Sequence, residues 1–361
     1  MKRKEDKYRT RVVRLGVIVG LLAAGSVRAD FTFGEPTNLG PRINGPGVDA
    51  SPLVTPDGLE LYFCSDQEGG LGEVDLWMCT RLTTDDDWGP PVNLGERVNS
   101  PTWDLGPSLS ADGLEMYFCR GYGEMADIWV TRRDSINDPW MESINLGPTV
   151  NSTVMDCGPC ILPDGLTLFF YSVRLGDPPG GDIWMTTRTT VSDSWGSPVN
   201  VGSPVNTDTW DYWPSLSAGG RVMMFCSGRE GGQGNEDVWM VKRPTTSDAW
   251  SDPIDLGPPA NTEAWDTCPF VSADGQTYYF VSDRDGGQGS YDLWQAPIEP
   301  VIDLNGDGLV DCADIEIMLD NWGTDDSLCD IGPTPFGDGV VDVEDLIVLV
   351  EHMTADTGEA Q

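Results

Sequence analysis

Histidine is almost missing from this 361-residue chain, the only one being His352. That excludes Ser-His-Asp and Cys-His catalysis from the body of the protein and disfavours a histidine-ligated transition metal. Basic residues are scarce too: 21 Lys and Arg stand against 59 Asp and Glu, a net charge of −38. Such a surface repels nucleic acid and anionic membranes and suits a soluble protein that meets cations. Beyond the first 30 residues there is no apolar run long enough to span a membrane. No segment before residue 300 carries a helical period either, so the body should be built from strands.

The N-terminus is the exception to the charge balance. Lys2, Arg3, Lys4, Lys7, Arg9, Arg11 and Arg14 surround the start of a short apolar run, Leu15 to Ala24, and Ser26-Val27-Arg28-Ala29 follows. This is the pattern of an export signal with small residues at its cleavage site. Residues 1–29 are therefore expected to be removed, leaving a secreted, extracellular or cell-surface protein, with the periplasm as a second compartment. Losing 8 of the 21 basic and 2 of the 59 acidic residues takes the net charge to −44.

What the chain has in abundance is repetition. Asp, an aliphatic residue and Trp recur at Asp75-Leu76-Trp77, Asp127-Ile128-Trp129, Asp182-Ile183-Trp184, Asp237-Val238-Trp239 and Asp292-Leu293-Trp294. The tryptophans are 52, 55, 55 and 55 residues apart, a period that signals a repeat architecture. Within each unit an Asp (49, 104, 156, 211, 266) precedes a Gly (58, 113, 165, 220, 275) by nine residues. A hydrophobic run, a Gly-rich turn and the Asp-x-Trp segment follow. A second Trp (88, 140, 195, 250) lies eleven residues further on, then Pro-x-Asn-Leu-Gly or a variant, then Asn (99, 151, 206, 261).

Each landmark has a physical role. Pro56-Asp57-Gly58 and its copies supply hairpin turns, and Leu61-Tyr62-Phe63-Cys64 and its copies are short aromatic-rich strands. Asp-x-Trp opens a third strand, and the Pro-x-Asn-Leu-Gly segment fits an edge strand. Four antiparallel strands repeated around an axis make an all-β five-bladed β-propeller. The fifth unit lacks its last strand, but Phe33-Gly34-Glu35-Pro36-Thr37-Asn38-Leu39-Gly40 matches it, with Asn44 six residues after Asn38. An N-terminal strand closing the last blade completes the ring.

The pattern resembles the WD-repeat-like propeller segments of TolB-type proteins, as in Asp104…Pro107-Ser108-Leu109-Ser110-Ala111-Asp112-Gly113. The resemblance covers residues 31–295 and implies a fold; such propellers mostly serve as binding or scaffolding platforms.

After Pro297 and Pro300 the composition changes. Asp303, Asn305, Asp307, Asp311 and Asp314 fall on positions 1, 3, 5, 9 and 12 of a calcium loop, with Gly308 and Gly306 between them and the Leu309 carbonyl at position 7. A helix follows with Ile315, Met318, Leu319 and Trp322 on one face. Asp338, Val340, Asp342 and Asp345 repeat the second half of the loop, and Leu346, Leu349, Val350 and Met353 repeat the helix face. Thr334 and Phe336 fall where ligands are expected, so Asp330 stands in as position 1 only if the second loop is widened. The duplicated unit resembles a type I dockerin, a small all-α EF-hand-like domain. The resemblance implies Ca2+ as the cofactor and a cohesin-type domain or other cell-surface protein as partner. Partner choice would rest on Cys312-Ala313 and Val343-Glu344. The expected organisation is a signal at 1–29, propeller at 30–296, Pro-containing linker at 297–301, dockerin-like domain at 302–354 and tail at 355–361.

For the propeller two readings compete. Trp103-Asp104, Trp210-Asp211 and Trp265-Asp266 would line a channel mouth and bind a polysaccharide or a cationic peptide. Alternatively each Asp caps backbone amides where blades cross and each Trp packs between blades. Catalytic residues are assigned to none. Five-bladed glycoside hydrolases place acids on inner strands, whereas Ser51–Val54, Gly106–Ser110, Gly158–Leu162, Trp213–Ser217 and Cys268–Ser272 contain no acid. Five equivalent aspartates cannot divide acid and base roles unless their surroundings differ. The leading expectation is a non-catalytic binding or scaffold propeller; a carbohydrate-active enzyme carried by the dockerin is the alternative, and a surface scaffold with a protein partner the third. The nine cysteines permit disulfides without assigning them. Cys64, Cys119 and Cys226 read as buried thiols, Cys157-Gly158-Pro159-Cys160 lacks the helix a redox dithiol needs, and Cys312 with Cys329 forms a candidate bridge.

Overall fold

The computed structural model describes residues 31–174, 180–217, 219–305, 309–324, 329–332, 337 and 340–355. The expected signal at 1–29 and the expected ligands Asp307 and Asp338 lie outside the described residues.

Five antiparallel sheets follow one another along the chain. Blade 1 runs Asp49–Val54, Glu60–Ser65, Asp75–Thr80 and Val92–Asn93, from the axis outward. Blade 2 repeats this with Asp104–Leu109, Glu115–Arg120, Asp127–Arg132 and Ile144–Asn145, and blade 3 with Asp156–Ile161, Thr167–Ser172, Asp182–Thr187 and Val199–Asn200. Blade 4 has Asp211–Leu216, Val222–Ser227, Asp237–Lys242 and Ile254–Asp255. Blade 5 has Asp266–Val271, Thr277–Ser282 and Asp292–Pro300, and its outer strand is Thr37–Asn38, paired with Gln295 and Trp294. The N-terminal strand closes the ring as expected. Phe31–Phe33 adds a second pairing to Ile298, Glu299 and Pro300, so most of the span expected as a linker is strand.

The second strand of each blade is apolar on both faces because a neighbouring blade covers each face. Leu61, Tyr62, Phe63 and Cys64 are all fully buried. Leu61 and Phe63 pack with Tyr279 and Val281 of blade 5, and Tyr62 and Cys64 pack with Met116 and Phe118 of blade 2. That is why the sequence shows a continuous hydrophobic run there rather than alternation. Burying each large side chain contributes about 1.5–3 kcal/mol.

Polar side chains fix the outer strands. Asn99 accepts from Leu76 N (2.9 Å) and donates to Leu76 O (3.0 Å), pairing with the third strand as a backbone would. Its amide also donates to Asn93, which donates to Asp75, and Asp75 accepts from the Gly-rich turn at Gly72 N (3.1 Å). The closing strand joins the same network: Asn38 donates to Asp292 (2.9 Å), and Asn44 exchanges hydrogen bonds with Leu293. The Asp-x-Trp aspartates are therefore frame. The second tryptophans are also frame, with Arg81, Arg133, Arg188 and Arg243 stacked on Trp88, Trp140, Trp195 and Trp250 at 4.1–4.5 Å.

The cysteines correct one expectation. Cys119 is disulfide-bonded to Cys157, joining blade 2 to the inner strand of blade 3, whereas Cys64 and Cys226 are buried thiols. The contact is the one that Cys226 makes with Thr267 at the next-but-one boundary (3.1 Å). Since Cys157 pairs with Cys119, it is not half of a Cys157–Cys160 dithiol, and burial pushes the Cys160 thiol up to about 11.

The C-terminal region has two helices, α1 (Cys312–Asp320) and α2 (Val343–Ala355), around Leu304, Met318, Cys329, Ile331, Val341 and Leu349. The expected helix faces are only partly inward: Leu319, Trp322 and Val350 are exposed. No Cys312–Cys329 bridge forms, since Cys312 is exposed while Cys329 Sγ is buried and accepts from Asn321 Nδ2 (3.7 Å). No helix among the described residues is long and apolar enough to cross a membrane.

Replacing both Cys119 and Cys157 by Ser should destabilise the propeller by about 2–4 kcal/mol, because the bond closes a loop spanning 38 residues. Urea unfolding with and without reductant measures it. Equal midpoints for the two proteins under oxidising conditions would show that the bond does not form.

Candidate binding face

Every blade begins with an aspartate, and all five are completely buried. In blades 2 to 5 one carboxylate oxygen accepts from the backbone and hydroxyl of the residue four positions earlier: Ser100, Ser152, Thr207 and Thr262, with hydroxyl distances of 2.9, 2.7, 2.8 and 2.7 Å. The other oxygen meets an arginine. Arg120 reaches Asp104 at 2.7 Å, Arg229 reaches Asp211 at 2.7 Å, Arg284 reaches Asp266 at 2.6 Å, and Arg174 bonds Asp156 in the same way. Each of these arginines also lies over the Asp-x-Trp ring of its own blade, at 4.4–5.6 Å. Burial pushes the Asp104 carboxyl up in pKa, and Arg120 pulls it back.

The aspartates of the expected Trp-Asp pairs are thus turned inward and saturated. Asp104, Asp211 and Asp266 cap blade crossings, while the tryptophans beside them stay at the surface. Trp210 and Trp265 are 39% and 38% exposed. Trp210 lies so close to Gly181 that a Cβ there would sit 3.0 Å from its ring. Trp103 donates its indole N–H to Glu73 (2.6 Å) and meets Tyr122 edge-on at 5.0 Å. Trp210 pairs with Tyr212 at 6.3 Å, and Trp265 with Tyr291 at 6.5 Å. One face of the ring therefore carries three Trp-Tyr pairs.

Tyr212 adds an unusual carboxyl on this face. Its hydroxyl donates to Glu236, a partly buried side chain, and burial pushes the Glu236 pKa up to about 7. The sequence signal for Glu236 was available: the equivalent residues in the other blades are Val74, Ala126, Gly181 and Tyr291, so the position is one where the copies differ.

Near the axis, Ser51, Gly106, Gly158, Trp213 and Cys268 all adopt positive φ at a bulge in the inner strand. Trp213 fills the centre. A Cβ at Gly106 or Gly158 would stand 2.7 or 2.8 Å from its ring, so only glycine fits opposite. On the hairpin-turn side of this ring is a cavity of about 370 Å³ lined by the five prolines Pro52, Pro107, Pro159, Pro214 and Pro269 and by apolar residues such as Leu53 and Phe270. No carboxylate among the described residues lines it.

In the C-terminal region the two halves superimpose chemically. Asp314 is fully buried and accepts from Asn305 N (3.2 Å) and Asp311 N (2.8 Å). Asp345 is also fully buried and accepts from Gly332 N (2.7 Å) and Asp342 N (2.6 Å). This aligns Asp303 with Asp330, since Leu304 and Ile331 then occupy matching buried positions. The Asp330 carboxylate lies against Gly337, across its loop. The donors are all oxygens on short acidic loops, which fit a hard cation. Among the described residues no three acidic, Cys or His side chains converge as a metal group, and Asp307 and Asp338 are not among them.

No protein-family model matches the sequence, and no curated protein matches it. Similar solved structures include TolB from Acinetobacter baumannii, 17% identical with a TM-score of 0.44, covering 70% of this chain and 54% of that one. The matched region thus spans about half the length of TolB. An alpha-L-arabinofuranosidase from Lactobacillus brevis is 12% identical (TM-score 0.48, 70% and 90% covered). One from Podospora anserina, in complex with cellotriose, is 11% identical (TM-score 0.48, 75% and 97% covered). At these levels no residue role carries across.

Glu236 makes stability depend on pH. Its folded pKa lies above the usual carboxylate value, so the folded state holds a proton that the unfolded chain has lost. The contribution is fully present below about pH 4.3 and disappears as pH rises through about 7. Glu236→Gln should therefore melt above the parent at pH 8, the difference shrinking towards pH 4. Parallel melting curves across that range would refute the assignment.

Proposed function

We propose that this chain is an exported, non-catalytic binding protein. Its propeller takes a polysaccharide or peptide on the aromatic face, and its C-terminal region, loaded with Ca2+, tethers it to a cohesin-type domain or another cell-surface protein. The observation that carries the reading is the division of labour within each Trp-Asp pair: the carboxylate is buried and spent on arginine, while Trp210 and Trp265 remain open to solvent. Aromatic faces held by partner tyrosines suit stacking on sugar rings or cationic side chains. The charge of −38 favours a neutral or basic ligand over an acidic one.

For the tether, Asp303, Asn305, Asp307, the Leu309 carbonyl, Asp311 and Asp314 would hold the first Ca2+. Asp330, Asp338, the Val340 carbonyl, Asp342 and Asp345 would hold the second. Bound Ca2+ would supply the charge that lets these acidic loops close on the helices. Cys312, Ala313, Val343 and Glu344 are all exposed, which leaves them accessible to a partner, and apolar Leu319, Ile347 and Val350 are exposed on the same two helices, with Trp322 exposed just after the first.

A carbohydrate-active enzyme is the second reading, and Glu236 favours it. A carboxyl that keeps its proton near neutrality beside aromatic rings has the character of a general acid.

Trp210→Ala and Trp265→Ala should each weaken binding about tenfold on a panel of polysaccharides and basic peptides. Unchanged affinity in both variants would remove the propeller face from the reading, and hydrolysis of a panel member that Glu236→Gln abolishes would replace it with the enzyme. Separately, chelating Ca2+ should abolish the helical circular dichroism of the C-terminal region while the propeller stays folded. Helical signal that survives chelation in full would show that Ca2+ does not organise this region.

A further inference from the structure

Blade 1 breaks the rule the other four obey. Where they place Ser100, Ser152, Thr207 and Thr262, it has Gly45, and where blades 3 to 5 place Arg174, Arg229 and Arg284, it has Gln67. Asp49 is as buried as its counterparts, yet its Oδ1 makes no hydrogen bond, and neither does the buried Nε2 of Gln67. Its other oxygen accepts from Gly45 N (2.5 Å), and the Ser65 hydroxyl stands beside the carboxylate.

The intact blades show what this socket is built to hold. In blade 4 the Arg229 guanidinium donates to the Asp211 carboxylate (2.7 Å), the Ser227 hydroxyl (2.9 Å), and the carbonyls of Val205 (2.5 Å) and Pro204 (3.3 Å). Arg284 makes the same four contacts in blade 5, to Asp266, Ser282, Ala260 and Pro259. The repeat gives blade 1 the same oxygens on Asp49, Ser65, Ile43 and Arg42. Glutamine is shorter than arginine by the whole guanidinium terminus, and turning its amide would present a fifth oxygen. A carboxylate, a hydroxyl, carbonyls and an amide oxygen are the ligands of hard metal cations.

We propose that the blade 1 socket binds a hard metal cation through oxygen, in the place that an arginine guanidinium takes in the other blades. Asp292 and Asp66 add negative charge around the Asp49 carboxylate, so the socket suits an added positive charge. The location gives the ion a consequence. Asp49 N–H donates to Tyr291 O (2.9 Å), so the socket lies on the seam where blade 5 meets blade 1, and a bound cation would fasten ring closure.

The test is the melting temperature of the full chain, followed by tryptophan fluorescence, in NaCl, KCl, CaCl2 and choline chloride adjusted to equal ionic strength. At least one metal salt should raise melting over choline, by about 2–4 °C once the ion is near ten times its Kd. The salt that does so identifies the ion. Gln67→Arg supplies the missing guanidinium and should melt at the raised temperature in every salt, while Asp49→Asn should melt low in all of them. A Ca2+ effect common to all three proteins belongs to the C-terminal loops and is subtracted. Two results would overturn the proposal: no metal salt separating from choline in the parent, or a metal-dependent rise, beyond any Ca2+ effect shared by all three proteins, that persists in Asp49→Asn.

Discussion

The buried carboxylate at the start of each inner strand is the constraint on which the propeller depends. In blades 2 to 5 it ties three pieces together: the loop arriving from the previous blade, the first strand it opens, and an arginine at or just beyond the end of the second strand. Removing either partner of such a buried pair costs about 3–5 kcal/mol, because the remaining charge stays desolvated. The geometry explains why Asp rather than Glu recurs, since the short side chain must bond an amide only four residues back. The same arginine shields the Asp-x-Trp ring of its blade, so the polar cap and the apolar packing between blades are one structure.

This coupling determines how the ring can carry function. A frame position must be the same in every copy, so chemistry has to enter where the copies depart from one another. Three such departures are Glu236 among the residues preceding the third strands, Trp213 among the inner bulges, and the Gly45–Gln67 combination in blade 1. The tryptophans before the buried aspartates occupy a middle ground. Val48 and Met155 replace them in two blades, so the frame does not require an aromatic ring there, and the exposed rings at 210 and 265 are open to recognition.

Much of the frame was legible in the sequence. The Asp-to-Gly spacing, the two tryptophans and the paired asparagines gave the strand order, and the match of Thr37-Asn38 to the outer strands gave the closure. What stayed hidden was set by partners distant in sequence. The disulfide joins Cys119 to Cys157 because one faces the other across a blade boundary, whereas the nearby Cys160 points to another neighbour. The role of the ring aspartates could be read only as two alternatives, since burial and the arginines 16 to 18 residues downstream decide between them. Arg120 hides its equivalence best, occupying the position of the serines Ser172 and Ser227 rather than that of Arg174 and Arg229.

The C-terminal region follows the opposite logic. There two copies are kept alike at the buried carboxylates, Asp314 and Asp345, and differ in the loops they close. The second loop is longer, and the match of Leu304 to Ile331 places the added length after that buried residue, leaving Asp330 in register with Asp303. Among the described residues a small core of six buried side chains holds two short helices beside clustered negative charge. Cations would relieve that repulsion where it is most concentrated, and the same argument applies to the unpaired carboxylate of blade 1. In a chain this acidic, positive charge is the limiting resource. The four blade arginines are where the fold supplies it from its own sequence, and the acidic loops and the blade 1 socket are where it would be drawn from solution.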